Sequence, residues 1–122
     1  MINVIFDFES LGLNENSVLL SLGVLAFDPS DYDIVGDGVE TTFNKLLQQG
    51  LYVKLDAKDQ AKTYGRTINK STLVWWTEQN EEASQVLTRC DDDVKLSDME
   101  RLLNEYLEMN GFTKNTPVWS RG

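Results

Sequence analysis

At residues 2–12 the chain reads Ile-Asn-Val-Ile-Phe-Asp-Phe-Glu-Ser-Leu-Gly. The β-branched and aromatic residues up to Phe8 are typical of a buried strand, and this strand ends in acidic residues. Asp7 and Glu9 are two positions apart, so strand alternation points both carboxylates to the same face. Unpaired charges at the edge of a core are costly. The pair therefore indicates a bound cation or a basic partner.

The segment that follows predicts two more strands. Residues 18–27 are almost wholly apolar, and the turn residues Asp-Pro-Ser-Asp at 28–31 end this second strand. A Gly-Asp-Gly turn at 36–38 then leads into residues 39–47, whose alternation fits a third strand. Three strands joined by short turns predict an antiparallel meander.

The hydrophobic period changes to that of a helix from Ser71 onward. The apolar residues on one predicted helical face are Leu73, Trp76, Ala83 and Leu87. Asn69 or Ser71 could cap this helix, and the polar residues 89–95 are expected to end it. We expect Trp76 in the core, whereas Trp75 points roughly 100° away from it.

A second helix is predicted from Ser97, which has Glu100 three residues later in the spacing of a capping box. Its apolar residues repeat at helical intervals: Met99, Leu102, Leu103, Tyr106 and Leu107. Gly111 is expected to end it in a left-handed conformation. Pro117-Val118-Trp119 then predicts the start of a fourth strand.

Length and composition limit the class of protein. The 122 residues suit one domain over 1–122, and no apolar run reaches the roughly 18 residues of a membrane span. No basic, signal-like segment precedes the first strand, so we expect a cytoplasmic protein. The lone cysteine, Cys90, cannot form an internal disulfide, and without histidine no Cys/His zinc site can form. Any metal would therefore need oxygen ligands.

The net charge of -9 is concentrated in the first half of the chain, where residues 1–61 hold ten acids and three bases. Such a chain repels phosphate, so nucleic-acid chemistry would require bound cations or clustered bases. Mg²⁺ or Mn²⁺ on Asp7 and Glu9 would meet that need, because both ions prefer oxygen ligands and bridge to phosphates. A solvated turn is the alternative interpretation of the Asp-x-Glu triplet.

Residues 6–12, Phe-Asp-Phe-Glu-Ser-Leu-Gly, resemble the first exonuclease motif of the DEDD (DnaQ-like) superfamily, and the chain is similar to its phage exonuclease A group. Three further segments agree in order and spacing: the apolar strand 19–27, the Ser-Thr-Leu-Val-Trp-Trp helix start at 71–76, and the final Pro-Val-Trp-Ser-Arg-Gly at 117–122. The resemblance implies an α/β, RNase H-like fold with a three-stranded antiparallel meander, helices and a fourth strand, incomplete at the C-terminus.

The resemblance also implies a two-metal, 3'-to-5' hydrolysis that releases nucleoside monophosphates from single-stranded nucleic acid, with DNA favoured over RNA. Asp7 would bridge both ions, and Glu9 would help hold the ion that activates water. Backbone groups of Ser10 to Gly12 would cradle the terminal nucleotide. Leu11 is either a wedge against the last base or a packing residue, and Trp75 either stacks on a base or is buried.

The family uses four acidic ligands, and the chain ends before the segments that supply the other two. The missing ligands could belong to a second polypeptide, and a homodimer could form through an uncovered surface. The run Asp91-Asp92-Asp93 is interpreted as a solvated loop rather than a substitute. Two other classes of protein remain open: an acidic binding or inhibitor protein that mimics nucleic-acid charge, and a structural fragment that serves only in assembly.

Overall fold

The computed structural model describes residues 1–120. The strands are β1 (Asn3–Ser10), β2 (Leu19–Phe27), β3 (Leu51–Lys54) and β4 (Val118–Ser120). The α-helices are α1 (Ile34–Asp37), α2 (Val39–Gln49), α3 (Ala57–Tyr64), α4 (Lys70–Thr77), α5 (Glu81–Ser84) and α6 (Leu96–Met109). Short 3-10 turns lie at Pro29–Asp31 and Gln85–Leu87. Arg121 and Gly122, part of the final segment that resembles the exonuclease A group, lie outside the described residues.

The strands form one mixed sheet in the order β3-β2-β1-β4. β1 and β4 are parallel, with Val4 opposite Val118 and Ile5 opposite Trp119. The first three strands are neighbours in chain order, as in the predicted meander, and the predicted fourth strand is present. The sheet and its helices are compatible with the RNase H-like fold.

The third strand was predicted in the wrong place. Residues 39–47 form α2, and the strand itself follows at Leu51–Lys54. Apolar side chains at Val39, Phe43 and Leu47 are four positions apart, which places them on one side of a helix. Helix α1 likewise replaces much of the turn predicted at 36–38. The β-branched Thr42 is accommodated because its hydroxyl donates to the Gly38 carbonyl at 2.9 Å.

The first predicted helix is interrupted. Helix α4 ends at Thr77, and α5 begins separately after Asn80, whose side chain accepts a hydrogen bond from the Ala83 amide at 2.8 Å. The polar residues 78–80 separate the two segments. Asn69 is confirmed as the cap of α4, because its Oδ1 accepts from the Thr72 amide at 3.0 Å.

The second predicted helix, α6, is confirmed, although it begins one residue before the predicted start. Ser97 therefore lies inside the first turn and is not the cap. The predicted left-handed stop is present at Gly111, which has a φ of 75°. The Phe112 amide then donates to the Leu107 carbonyl at 3.0 Å, which is typical of a helix C-terminus.

The chain divides into two compact units, each with its own core. Among the described residues, the first unit contains Met1–Asp7, Gly23–Tyr52 and residues 102–120. Its core consists of buried strand residues with partly buried residues of α6 packed against them: Val4, Val24, Ala26, Leu103, Tyr106 and Leu107. Tyr106 also ties β2 to the end of α2, because its hydroxyl accepts from the Ala26 amide at 2.8 Å and donates to the Gln49 carbonyl at 2.6 Å.

The second unit contains Phe8–Leu22 and Val53–Arg101. Its core is formed by Leu11, Val18, Leu20 and Trp76, so the predicted burial of Trp76 is confirmed. Gln60 of α3 is fully buried. Its Oε1 accepts from the Leu19 amide at 2.8 Å, and its Nε2 donates to the Leu19 carbonyl at 2.7 Å. The Gln60 side chain thus takes the place of a neighbouring strand along β2.

Among residues 1–120, no helix has the length and apolar character that crossing a bilayer requires. Cys90 is a free, exposed thiol. Asp91 and Asp92 are exposed, as predicted for a solvated loop. Asp93 differs, because its side chain is only 7% exposed and pairs with Lys54 at 2.6 Å. The single domain over 1–122 remains a prediction.

Candidate active site

Asp7 is an exposed residue of β1 that lines an apolar groove within the first unit. The groove has a volume of about 450 Å³. Its other residues come from β1, β2, α2 and the start of β3: Ile5, Phe6, Gly23, Val24, Leu25, Phe43, Leu46, Leu47, Gly50, Leu51 and Tyr52. Gly23 lies beside Asp7, and packing does not require glycine there, since the nearest neighbour of an added Cβ would be the Asp7 carbonyl oxygen at 4.0 Å.

Glu9 lines a different recess, which lies within the second unit and has a volume of about 420 Å³. The recess is formed by the end of β1, the loop after it and the first turns of α4. Its lining residues are Phe8, Glu9, Ser10, Gly12, Leu13, Ser71, Thr72, Trp75 and Trp76. The structure therefore brings together Glu9, Ser10, Gly12 and Trp75, four of the six residues that the sequence predicted for the site.

Hydrogen bonds fix the backbone beside this recess. The Trp76 indole donates to the Ser10 carbonyl at 3.1 Å, and the Ser10 hydroxyl donates to the Gly12 carbonyl at 2.7 Å. The Leu11 amide donates to Val18 at 2.8 Å, and its carbonyl accepts from the Asn69 amide at 2.7 Å. Because the Leu11 amide is already used, the predicted nucleotide cradle would depend on the groups of Ser10 and Gly12.

Gly12 is required by packing. An added Cβ would lie 2.3 Å from the Ser17 hydroxyl oxygen and 3.1 Å from the Ser17 Cβ. Both residues are buried, so the loop has little room to move apart. The glycine thus lets the loop after β1 pack closely against the residue that precedes β2.

Of the two predicted roles of Leu11, a wedge against a base or a packing residue, the structure shows the second. It is 3% exposed and belongs to the core of the second unit, so a role as an exposed wedge against a base is wrong for this conformation. Leu13 has the opposite character, because it is fully exposed and lines the recess. An apolar residue between Gly12 and Asn14, in an otherwise polar loop, was the sequence signal that could have identified it.

Trp75 is 53% exposed and lines the recess, whereas Trp76 is 9% exposed. The two rings meet edge to face, with centroids 5.0 Å apart and planes at 83°. Trp75 is therefore held from one side by a packed ring while much of its surface faces solvent. This geometry favours the stacking alternative for Trp75 over burial.

The basic residues near the recess have different surroundings. Arg66 uses its guanidinium within the second unit, donating to the Ser17 carbonyl at 2.9 Å and the Glu15 carbonyl at 3.0 Å. It fixes the loop between β1 and β2. Lys70, at the start of α4, is exposed.

The candidate side chains offer the kind of ligand atom that a hard divalent metal prefers, but they do not form a full set of ligands. Asp7 and Glu9 offer carboxylate oxygens, which Mg²⁺ and Mn²⁺ prefer. Within residues 1–120, no group of three or more acidic, cysteine or histidine side chains is arranged to hold a metal ion.

The β1 strand ends in Asp-x-Glu and is followed by a recess with an exposed tryptophan, and the sequence as a whole places the chain among exonuclease-family domains. The chain belongs to the Rv2179c-like 3'-5' exoribonuclease domain family, whose sequence pattern matches residues 2–122. It is also 32% identical over 123 residues to an exodeoxyribonuclease of Enterobacteria phage T4. That match covers 100% of this chain and 51% of the phage protein, so the chain spans about half of its relative's length. No solved structure gives a significant match.

Proposed function

We propose that this chain contributes one part of the active site of a divalent-metal-dependent 3'-5' exonuclease that releases nucleoside monophosphates from single-stranded DNA. The observation that carries the proposal is the end of β1, where Asp7 and Glu9 stand two positions apart in one strand and Glu9 borders a recess with exposed apolar side chains. The family match and the likeness to the phage exodeoxyribonuclease support the same chemistry.

Asp7 and Glu9 would hold the ions through their carboxylate oxygens. Bound Mg²⁺ or Mn²⁺ would supply an activated water and a positive charge beside the leaving 3'-oxygen. The full reaction needs further carboxylates, so the chain alone is expected to be weakly active or inactive.

The recess in the second unit would hold the terminal nucleotide. Trp75 and Leu13 offer exposed apolar surface, and stacking on an aromatic ring contributes about 1–3 kcal/mol per base. Backbone groups of Ser10 and Gly12 would orient the sugar and phosphate. Such contacts are tolerant of base identity, which suits an enzyme that removes nucleotides in sequence.

The choice of DNA follows the phage relative, which is named an exodeoxyribonuclease. RNA is the second candidate substrate, because the family is described as a 3'-5' exoribonuclease domain. A reader of the 2'-hydroxyl would distinguish the two, since that group is present only in RNA. The acidic mimic is less well supported, because it requires carboxylates spread along one exposed face and Asp7 lies in an apolar groove.

The test uses matched single-stranded DNA and RNA oligonucleotides of one sequence, each with a free or a phosphate-blocked 3' end. In Mn²⁺ we expect the chain to bind the free 3' end of DNA most tightly, and any cleavage to release the 3'-terminal monophosphate. Trp75→Ala should weaken binding by about tenfold, since one stack is lost. Val74→Ala, an exposed neighbour on α4, is the control.

Binding that is equal for free and blocked ends, or unchanged by Trp75→Ala, would contradict the proposed recess. Tighter binding of RNA would replace the substrate while keeping the site.

A further inference from the structure

The recess beside Glu9 has two walls that are distant in the sequence. One wall is the loop after β1, with Leu13 fully exposed, and the other is the start of α4, with the half-exposed Trp75. Residues 65–69, which we call the strap, join α3 to α4 and lie against the loop. The distance between the two walls therefore depends on how the strap holds the loop.

The strap contacts the loop through its backbone. The Thr67 amide donates to the Asn16 carbonyl at 2.8 Å, and the Thr67 carbonyl accepts from the Val18 amide at 2.8 Å. At the end of the strap, the Asn69 amide donates to the Leu11 carbonyl at 2.7 Å. These bonds fix both ends of the loop, but none of the three involves its exposed tip.

Arg66 adds contacts from its side chain. Its Nε donates to the Ser17 carbonyl at 2.9 Å, and its Nη2 donates to the Glu15 carbonyl at 3.0 Å. Its own amide donates to the Gln60 carbonyl at 3.3 Å, which ties the residue to α3. A guanidinium carries several N–H donors in one rigid plane, whereas a lysine ammonium is a point charge on a flexible stem. Arginine can therefore hold both carbonyls at fixed positions, which lysine would not.

The carbonyls that Arg66 binds belong to a turn next to the tip of the loop. The Asn14 Oδ1 accepts from the Asn16 amide at 3.0 Å and from the Ser17 hydroxyl at 3.1 Å. The Ser17 amide donates to the Asn14 carbonyl at 3.2 Å. Leu13 immediately precedes this turn. The position of Leu13 is thus set by a closed turn that Arg66 holds in place.

We propose that Arg66 is a positioning residue of the recess, which keeps Leu13 at a fixed distance from Trp75 and thereby raises the affinity for the 3'-terminal nucleotide without contacting it. The inference rests on the proposed function, which places that nucleotide in this recess. Binding between two preformed walls avoids the entropic cost of ordering a mobile loop. The guanidinium is directed at protein carbonyls, so it acts through the loop and not through a phosphate.

A direct contact with a phosphate of the substrate is the alternative role of Arg66. The two roles differ in their dependence on salt, because each phosphate that a protein neutralises releases counterions and steepens the fall in affinity with salt concentration. They also differ in whether lysine can replace arginine. An ammonium binds a phosphate as a point charge, but it does not reproduce the fork that holds two carbonyls.

The test measures how tightly a single-stranded oligothymidylate with a free 3' end binds in Mn²⁺ at several salt concentrations. We expect Arg66→Lys and Arg66→Gln each to weaken binding by about tenfold, as if one stacking contact were lost, with unchanged salt dependence. Lys62→Gln removes the same charge from an exposed position of α3. This control should bind as the unaltered chain does.

The effect of Arg66 should largely disappear when the stack is absent. In a Trp75→Ala background, Arg66→Lys should weaken binding less than about twofold, because the loop no longer positions a base against the ring. Hydrogen exchange gives a readout that does not depend on substrate. The amides of Thr67 and Val18, which join the strap to the loop, should exchange about tenfold faster in Arg66→Lys. Unchanged exchange in α6 would exclude general destabilisation.

Full affinity in Arg66→Lys, together with a reduced salt dependence in Arg66→Gln, would assign the guanidinium to a phosphate and overturn the inference. Unchanged exchange at Thr67 and Val18 would also overturn it, as would equal effects of Arg66→Lys with and without the Trp75 ring. An unaltered chain that binds no oligonucleotide would refute the proposed function and with it this role. A chain that binds but tolerates Arg66→Lys would refute this inference alone.

Discussion

In each unit of this chain a side chain pairs with backbone groups of β2, but the exposed apolar residues of the two units are arranged differently. In the second unit a buried Gln60 pairs with both backbone groups of Leu19, and in the first unit Tyr106 pairs with the amide of Ala26. The second unit exposes Leu13 and Trp75 beside the recess, whereas the first exposes a row of apolar residues along α2. Internal hydrogen bonding thus stabilises both units, and each leaves a different apolar surface in contact with solvent.

The largest effect is expected at Gln60. Gln60→Leu keeps the side-chain volume but leaves the Leu19 amide and carbonyl without their buried partner, so we expect unfolding free energy to fall by about 3 kcal/mol. Urea denaturation measures the change. Gln48→Leu, at an exposed position of α2, is the matched control. A loss below about 1 kcal/mol would mean that water or a shifted backbone replaces the amide.

Gly12→Ala tests the close packing beside the recess. The added methyl would overlap the Ser17 hydroxyl, and we expect a loss of about 2 kcal/mol. Combining it with Ser17→Ala removes the nearer clash, so the double variant should be more stable than the sum of the single effects predicts. Strict additivity in thermal denaturation would contradict the contact.

Tyr106→Phe is the counterpart of the Gln60 change in the first unit. It removes a hydroxyl that serves the Ala26 amide and the Gln49 carbonyl but leaves the packed ring in place. We expect a loss of about 1 kcal/mol, smaller than at Gln60 because Gln49 is exposed and water can pair with its carbonyl, which leaves only the Ala26 amide unpaired. A loss as large as that of Gln60→Leu would contradict this expectation, because the hydrogen bonds of Tyr106 and Gln60 would then stabilise the two units equally.

The smallest effect is expected at Asp28, at the end of β2. Hydrogen bonds from the Ser30 hydroxyl and amide, and then from the N-terminal amine, lower the pKa of Asp28 from 3.8 to about 2. Its contribution to stability is therefore present above pH 4 and is lost as the pH falls towards 2. Asp28→Asn should lower the melting temperature slightly at neutral pH, and the difference should shrink in acid. A constant difference would contradict this coupling.

The elements with one strong pattern were predictable from sequence. The apolar runs of β1 and β2, the heptad-like spacing in α6 and the glycine that ends α6 each admit one local solution. Residues 39–47 were compatible with two local structures, a strand and a helix, because apolar side chains four positions apart fit both a period of two and a helical period. β3 and α3 were not predicted, since the segment from 51 to 64 shows no clear periodicity.

The candidate site was predictable in its chemistry and less so in its details. The Asp-x-Glu triplet located Asp7 and Glu9 at the end of β1, and the double tryptophan predicted Trp76 in the core but left Trp75 open between stacking and burial. The polar neighbours of Leu13 pointed to this residue, but the sequence alone did not decide which leucine faces solvent. Leu11 and Leu13 flank the same glycine, and only the path of the loop, fixed by the Leu11 hydrogen bonds, buries one and exposes the other.

The most direct test of the metal role is calorimetric titration of Mn²⁺ into the purified chain, the Asp7→Ala variant and an Asp31→Ala control. Asp31 is an exposed carboxylate outside the groove and the recess. The proposal predicts binding to the chain and to the control, and loss of binding in Asp7→Ala. Binding that survives Asp7→Ala, or is absent from the unaltered chain, would contradict the assignment of Asp7 and Glu9 as metal ligands.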